Sequence, residues 1–199
     1  MGLSLVQKPA PDFKANTVLS DNRIKQINLS EFQGRFVVLF FYPLDFTFVC
    51  PTELIAINNR LNDFEKIDTT VMGVSVDSQH SHLAWKNTPV NKGGIGNIKF
   101  PLVSDLDKSI SSSYGILTDQ GISLRGTFVI NAKGIVRYQS INDLEIGRNI
   151  DELLRTIRAI KHSEEHGNVC PAGWSGANDS MKATPEGVVD YLVSHADSI

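Results

Sequence analysis

At 199 residues, 41% of them hydrophobic and 21% charged, the chain suits one domain with a modest extension and buries a core without disulfide staples. A formal charge of −3 with no basic run argues against wholesale binding to nucleic acid, which needs a basic face. The longest strongly apolar run, Phe36 to Tyr42, falls far short of the roughly 18 residues of a membrane span.

From the amino terminus, Met1 to Val6 shows no long apolar segment of the secretory kind, and Val6 stands where a myristoylation signal needs Ser or Thr. Asn28-Leu29-Ser30 and Asn178-Asp179-Ser180 fit the glycosylation pattern, which carries weight only in a secreted chain. The expected address is the cytoplasm. Arg35 to Tyr42 predicts a fully buried strand, being short, β-branched and aromatic. Pro51 then suits a first helical position, with Leu54, Ile57, Leu61 and Phe64 as one apolar stripe behind it.

Thr69 to Val76 predicts a second strand, and His80 and His82 a polar helix start, with Trp85 as a packing anchor. The glycines at 93, 94 and 96 lack the strand-to-helix context of a nucleotide loop. Thr127 to Ile130 and Ile135 to Gln139 predict a hairpin turning through Asn131 to Gly134. Asn149 and Glu152 suit a capping pair ahead of Ile150, Leu153, Leu154, Ile157 and Ile160. From Gly167 to Thr184 the pattern dissolves into a flexible arm, with Trp174 as a second packing anchor, before Thr184-Pro185 opens a last helix. The expectation is an α/β domain with a central mixed sheet and helices on both faces, residues 1–164, followed by an arm and terminal helix, residues 165–199.

Two cysteines, Cys50 and Cys170, are too few for a disulfide scaffold or a cysteine-rich zinc site. A lone intracellular cysteine is usually a small buried hydrophobe, so context decides. Cys50 sits where a buried strand passes through a loop into the first turn of a helix. A helix start favours negative charge, and the thiolate is the reactive form of cysteine. Acidification alone explains little. Lowering a thiol pKa from about 8.5 to about 6 raises the thiolate fraction about thirty-fold at pH 7, but falling nucleophilicity cancels roughly tenfold of that. Fast O–O cleavage also needs donors for the departing oxyanion, a role for the Thr47 hydroxyl and a distant guanidinium. His162 to His166 fits H-x-x-E-H, but no third ligand is evident and histidines at a helix end complement its dipole.

Pro43, Thr47 and Cys50 match P-x-x-x-T-x-x-C, and FTFVCPTE, DSQHSHLAWKNTP, LRGTFVI and HGNVCPAGW extend the match over essentially the whole chain. The sequence resembles the typical two-cysteine peroxiredoxins, most of all the bacterial alkyl hydroperoxide reductase C type. The resemblance implies a thioredoxin-like fold, a peroxidatic Cys50, Pro43 shielding the site, and Thr47 and Arg125 binding and polarising a hydroperoxide. It further implies Glu53 and Arg148 orienting that arginine, and no metal, haem or other cofactor. Cys170 would resolve the Cys50 sulfenic acid from the partner subunit of a homodimer, with five dimers forming a decameric ring. Thioredoxin or a disulfide-reducing flavoprotein would then reduce the disulfide.

Gly93-Gly94-Ile95-Gly96 resembles the GGLG element of peroxide-sensitive members, but Tyr191-Leu192 replaces their Tyr-Phe pair, which implies intermediate sensitivity to overoxidation. A holdase chaperone or peroxide-signalling protein is the alternative from another class. A thiol–disulfide oxidoreductase is disfavoured, because Cys50-Pro51-Thr52-Glu53 lacks the second cysteine of C-x-x-C.

Overall fold

A hairpin of β1 (Lys14–Val18) and β2 (Ile24–Asn28) opens the sheet, and β3 (Phe36–Phe41) becomes one of its interior strands. The computed structural model describes residues 4–176 and 179–199; Met1 to Leu3 and the Asn178 acceptor pattern lie outside the described residues. The chain divides after Ile150 into two units.

In the first unit, β4 (Thr69–Ser75) and β5 (Leu102–Ser104) run parallel to β3, while β6 (Arg125–Ile130) and β7 (Val136–Asn142) add antiparallel. The seven strands take the order β2-β1-β5-β4-β3-β6-β7, a mixed sheet. Every residue of β3 is buried, as a strand covered on both faces requires. Phe41 packs on Tyr114 with ring centroids 5.3 Å apart and edge-on to Phe128 at 5.7 Å. Each fully buried aromatic of this kind contributes about 1.5–3 kcal/mol. The predicted 131–134 turn forms, with Asn131 Oδ1 accepting from the amides of Lys133 and Ile135.

The apolar stripe after Cys50 is split. Helix α1 (Cys50–Asn59) ends at Arg60, whose φ of −109° leaves the helical range, and α2 (Leu61–Lys66) begins anew. Leu54, Ile57 and Phe64 are all fully buried, so the break preserves the buried face. Helix α3 (Gln79–Asn87) starts at Ser78, whose side chain accepts from the Ser81 amide. Its polar histidine start needs correcting: His82 is wholly buried, paired with other polar groups instead of water. Trp85 is buried and donates from Nε1 to the Gly93 carbonyl at 3.0 Å. Gly94 is required there, because a Cβ would collide with the Thr88 carbonyl. The short helix α4 (Ser109–Ser113) completes this unit with α1 to α3.

The second unit contains most of α5 (Ile150–His166) and all of α6 (Pro185–His195), the latter capped by Thr184 accepting from the Gly187 amide. The described residues between them carry several hydrogen bonds. Val169 and Met181 form a two-way antiparallel bridge, and Asp179 accepts from the amides of Ser175 and Gly176. Among the described residues no helix is long and apolar enough to cross a membrane.

Candidate active site

β3 delivers the chain to Pro43, buried at the sheet end, and loop 43–49 then turns into α1. The loop is pinned through Asp45, whose amide donates to Asp77 Oδ2 at 2.8 Å. Its carboxylate accepts from Tyr42 Oη at 2.8 Å and Ser81 Oγ at 2.7 Å, and His82 Nδ1 lies 2.9 Å away. This anchoring holds Phe46 at a φ of 54°, a left-handed conformation that costs a side-chain-bearing residue about 1–2 kcal/mol.

Cys50 occupies the first residue of α1 with no solvent exposure. The opening turn closes on the Val49 carbonyl, which accepts from the Thr52 and Glu53 amides and from Thr52 Oγ1 at 2.6 Å. Arg125, first in β6 and 3% exposed, donates from Nη1 to Cys50 Sγ at 3.4 Å and to Glu53 Oε2 at 2.8 Å. Its Nε donates to the Leu144 carbonyl at 2.7 Å, so the fork has little freedom to rotate.

Arg148 grips the same carboxylate: Nε and the amide donate to Glu53 Oε1 at 2.8 and 2.9 Å, and Nη2 to Oε2 at 3.0 Å. Its Nη1 donates to the Gly126 carbonyl, and its Cζ lies 3.2 Å from the Phe40 ring centroid. Burial pulls the Arg148 guanidinium below its ordinary value, with Glu53 opposing. Two guanidiniums therefore share one buried carboxylate beside the sulfur, leaving positive charge to meet an anion.

Of the residues expected from sequence, Cys50, Glu53, Arg125 and Arg148 form one connected cluster. Thr47 stands on the pinned loop with Oγ1 donating to the Leu44 carbonyl at 2.8 Å, which leaves its lone pairs to accept a hydrogen bond from elsewhere. Cys170 belongs to the second unit, where its thiol donates to the Ala159 carbonyl at 3.4 Å. Burial pushes that thiol up, with Arg155 pulling the other way. Motif positions do not disclose the Asp45 network, the Leu144 carbonyl or the Phe40 face. A carbonyl leaves no mark in sequence, whereas the buried-strand reading already implied that Phe40 covers something. His162 and His166 stack with centroids 4.4 Å apart, and His166 Nδ1 turns to the His162 carbonyl.

A family model described as the AhpC/TSA family matches residues 6–139, and one described as the C-terminal domain of 1-Cys peroxiredoxin matches residues 159–193. Alkyl hydroperoxide reductase C of Helicobacter pylori is 54% identical over 190 residues, 94% of this chain and 96% of that one. Peroxiredoxin-2 of Macaca fascicularis is 50% identical over 195 residues, 98% of each chain. The reduced 2-Cys peroxiredoxin of Plasmodium vivax has a TM-score of 0.94 at 50% identity, covering 96% of this chain and 100% of its own. The chain belongs to the AhpC/TSA family as a two-cysteine peroxiredoxin with a thioredoxin-like α/β fold. It is a thiol-dependent peroxidase, and family membership favours that chemistry over the holdase and signalling alternative.

Proposed function

We propose that Cys50 is the peroxidatic sulfur, acting on hydrogen peroxide and small organic hydroperoxides. The observation that carries this is the Arg125 Nη1 donor held on both Cys50 Sγ and Glu53. The thiolate attacks one peroxide oxygen, forming S–O and breaking O–O, and the departing alkoxide or hydroxide takes a proton. Arg125 donates to the charge that develops on the breaking bond, and a preorganised donor of this kind contributes about 10²–10³-fold. Thr47 Oγ1, its own proton committed to Leu44, accepts from the peroxide hydroxyl. Pro43, buried and lacking an N–H, helps keep water from the sulfur. Glu53 and Arg148 orient Arg125.

Cys170 of a partner subunit then attacks the sulfenic sulfur, forming the disulfide and releasing water. A thioredoxin-type partner, thioredoxin itself or a disulfide-reducing flavoprotein, returns both thiols. The working assembly is a homodimer, with five dimers in a decameric ring, in the cytoplasm.

One equivalent of peroxide added to the reduced protein, followed by electrophoresis without reductant, tests this reading. A covalent dimer is expected for the native chain and none for Cys50→Ser or Cys170→Ser. Peroxide turnover disappears in Cys50→Ser. A dimer surviving in either variant, or turnover surviving in Cys50→Ser, would refute the assignment.

A further inference from the structure

The end of the sheet farthest from Arg125 holds a cleft that the peroxidase chemistry does not use. β3 and β6 are antiparallel neighbours, and Arg125 opens β6 while Ile130 closes it. Five residues at ~3.3 Å each put Ile130 roughly 17 Å along the strand from Arg125. Beside Ile130 the surface opens into a cleft of about 150 Å³ floored by Leu29, Phe32, Val37 and Ile130. Leu29, Val37 and Ile130 are at most 8% exposed and belong to the apolar core of this unit, so the cleft is a mouth into packed hydrocarbon.

Three stretches of chain build its walls and bond to one another. The Ala10 amide donates to the Gly134 carbonyl at 2.9 Å, the Gly34 amide to the Ala132 carbonyl at 2.9 Å, and the Leu29 amide to the Phe13 carbonyl at 3.1 Å. Asp12 Oδ1 accepts from the Phe13 and Ser30 amides at 2.9 and 3.0 Å. Walls cross-tied in this way are preformed, which spares a ligand the cost of ordering them.

The rim is charged, mostly with one sign. Arg35 and Lys133 line the cleft and are exposed, against the single carboxylate of Asp12, one oxygen of which is turned to backbone amides. A small positive excess suits a monoanion, whereas a dianion would be repelled more strongly by Asp12. A guanidinium matches a carboxylate with two parallel N–H donors. Volume sets the rest. A cavity of about 150 Å³ takes one benzene ring and is well below the roughly 300–1,000 Å³ of a cofactor-sized site.

We propose that this cleft binds a small monocarboxylate with an aromatic or branched aliphatic body, the body resting on Val37 and Ile130 and the carboxylate meeting Arg35 and Lys133. The site lies apart from the peroxidase centre, and the roles given to Cys50 and Cys170 neither support nor require it.

Benzoate is the probe, titrated against the full reduced chain by ligand-observed NMR, with benzyl alcohol and inorganic phosphate beside it. Benzoate is expected to bind saturably with a dissociation constant on the order of 1 mM, as so few non-hydrogen atoms allow. Benzyl alcohol lacks the charge and phosphate lacks the ring, and each should bind at least about three-fold more weakly. Arg35→Gln and Lys133→Gln each weaken benzoate about three-fold, the scale of an exposed ion pair, while peroxide turnover and Tm stay native. Crystals soaked in a bromobenzoate place the bromine beside Ile130 by its anomalous scattering. Benzoate that fails to saturate by about 20 mM, binds unchanged to the doubly substituted protein or puts its bromine elsewhere overturns the site. Equal binding of benzyl alcohol would reveal an apolar hole without anion preference, and equal binding of phosphate a charged patch with no hold on the ring. Either result overturns the carboxylate assignment.

Discussion

Arg125 and Arg148 are both buried, both bonded to Glu53 and both part of the same cluster, but only Arg125 touches the sulfur. Removing either leaves the carboxylate with one of its two cations, so the structural damage is similar in kind. The chemical damage is not. Arg125→Met is expected to lower kcat/KM for hydroperoxide by about 10²–10³-fold, the scale of one preorganised donor. Arg148→Met acts only by letting Glu53 and Arg125 drift, and about tenfold is expected. Steady-state kinetics beside thermal melting checks both, and equal rate losses at equal loss of Tm would show that Arg125 is structural. At this scale the sequence was informative because motif positions name side chains. It was silent where the partner is backbone, as for the Leu144 carbonyl that fixes Arg125 Nε.

Among the elements, legibility followed burial on both faces. β3 reads from sequence because every residue must be apolar, whereas β1 and β2 do not, since Lys14-Ala15-Asn16-Thr17-Val18 and Ile24-Lys25-Gln26-Ile27-Asn28 mix exposed polar with buried positions, β2 at the sheet edge and β1 beside it. β5 has only three residues, too short to show a period. The Gly167 to Thr184 segment reads as slack because its ties are made by single side chains and one bridge, none of them periodic. Its cysteine carries a prediction of its own. Burial raises the Cys170 thiol and Arg155 lowers it. In Cys50→Ser, the alkylation rate of Cys170 against pH should therefore rise with a midpoint above the ordinary thiol value of about 8.5. Arg155→Met should move the midpoint higher still. A native midpoint below the ordinary value would contradict the burial seen here.

For the molecule as a whole, the mixed sheet with helices on both faces was legible from alternation of buried strand and amphipathic helix, but the strand order was not, because pairing partners are non-local. The same global packing produces a buried cation with no place in the chemistry. Lys86 is 1% exposed, and its Nζ donates to the Leu19 carbonyl at 2.8 Å, tying α3 to the end of β1. Burial lowers its pKa from 10.5 to about 8, with Lys99 adding to the effect and Asp21 opposing it. Between those two values the unfolded chain holds a proton that the folded chain has released, so stability must rise with pH across that window. Below pH 8 the penalty for a buried ammonium is present in full. Lys86→Met removes it along with the Leu19 bond, and that bond survives deprotonation of the amine. The native protein should therefore gain on Lys86→Met as pH increases from 7.5 to 10, by on the order of 2 kcal/mol at most, or several degrees in Tm. The buried Tyr42 phenol, whose pKa burial raises well above its ordinary value, is common to both proteins and cancels in the difference. Paired melting curves across that range measure the gap, and a gap independent of pH would mean that the amine keeps its ordinary affinity for a proton despite its burial.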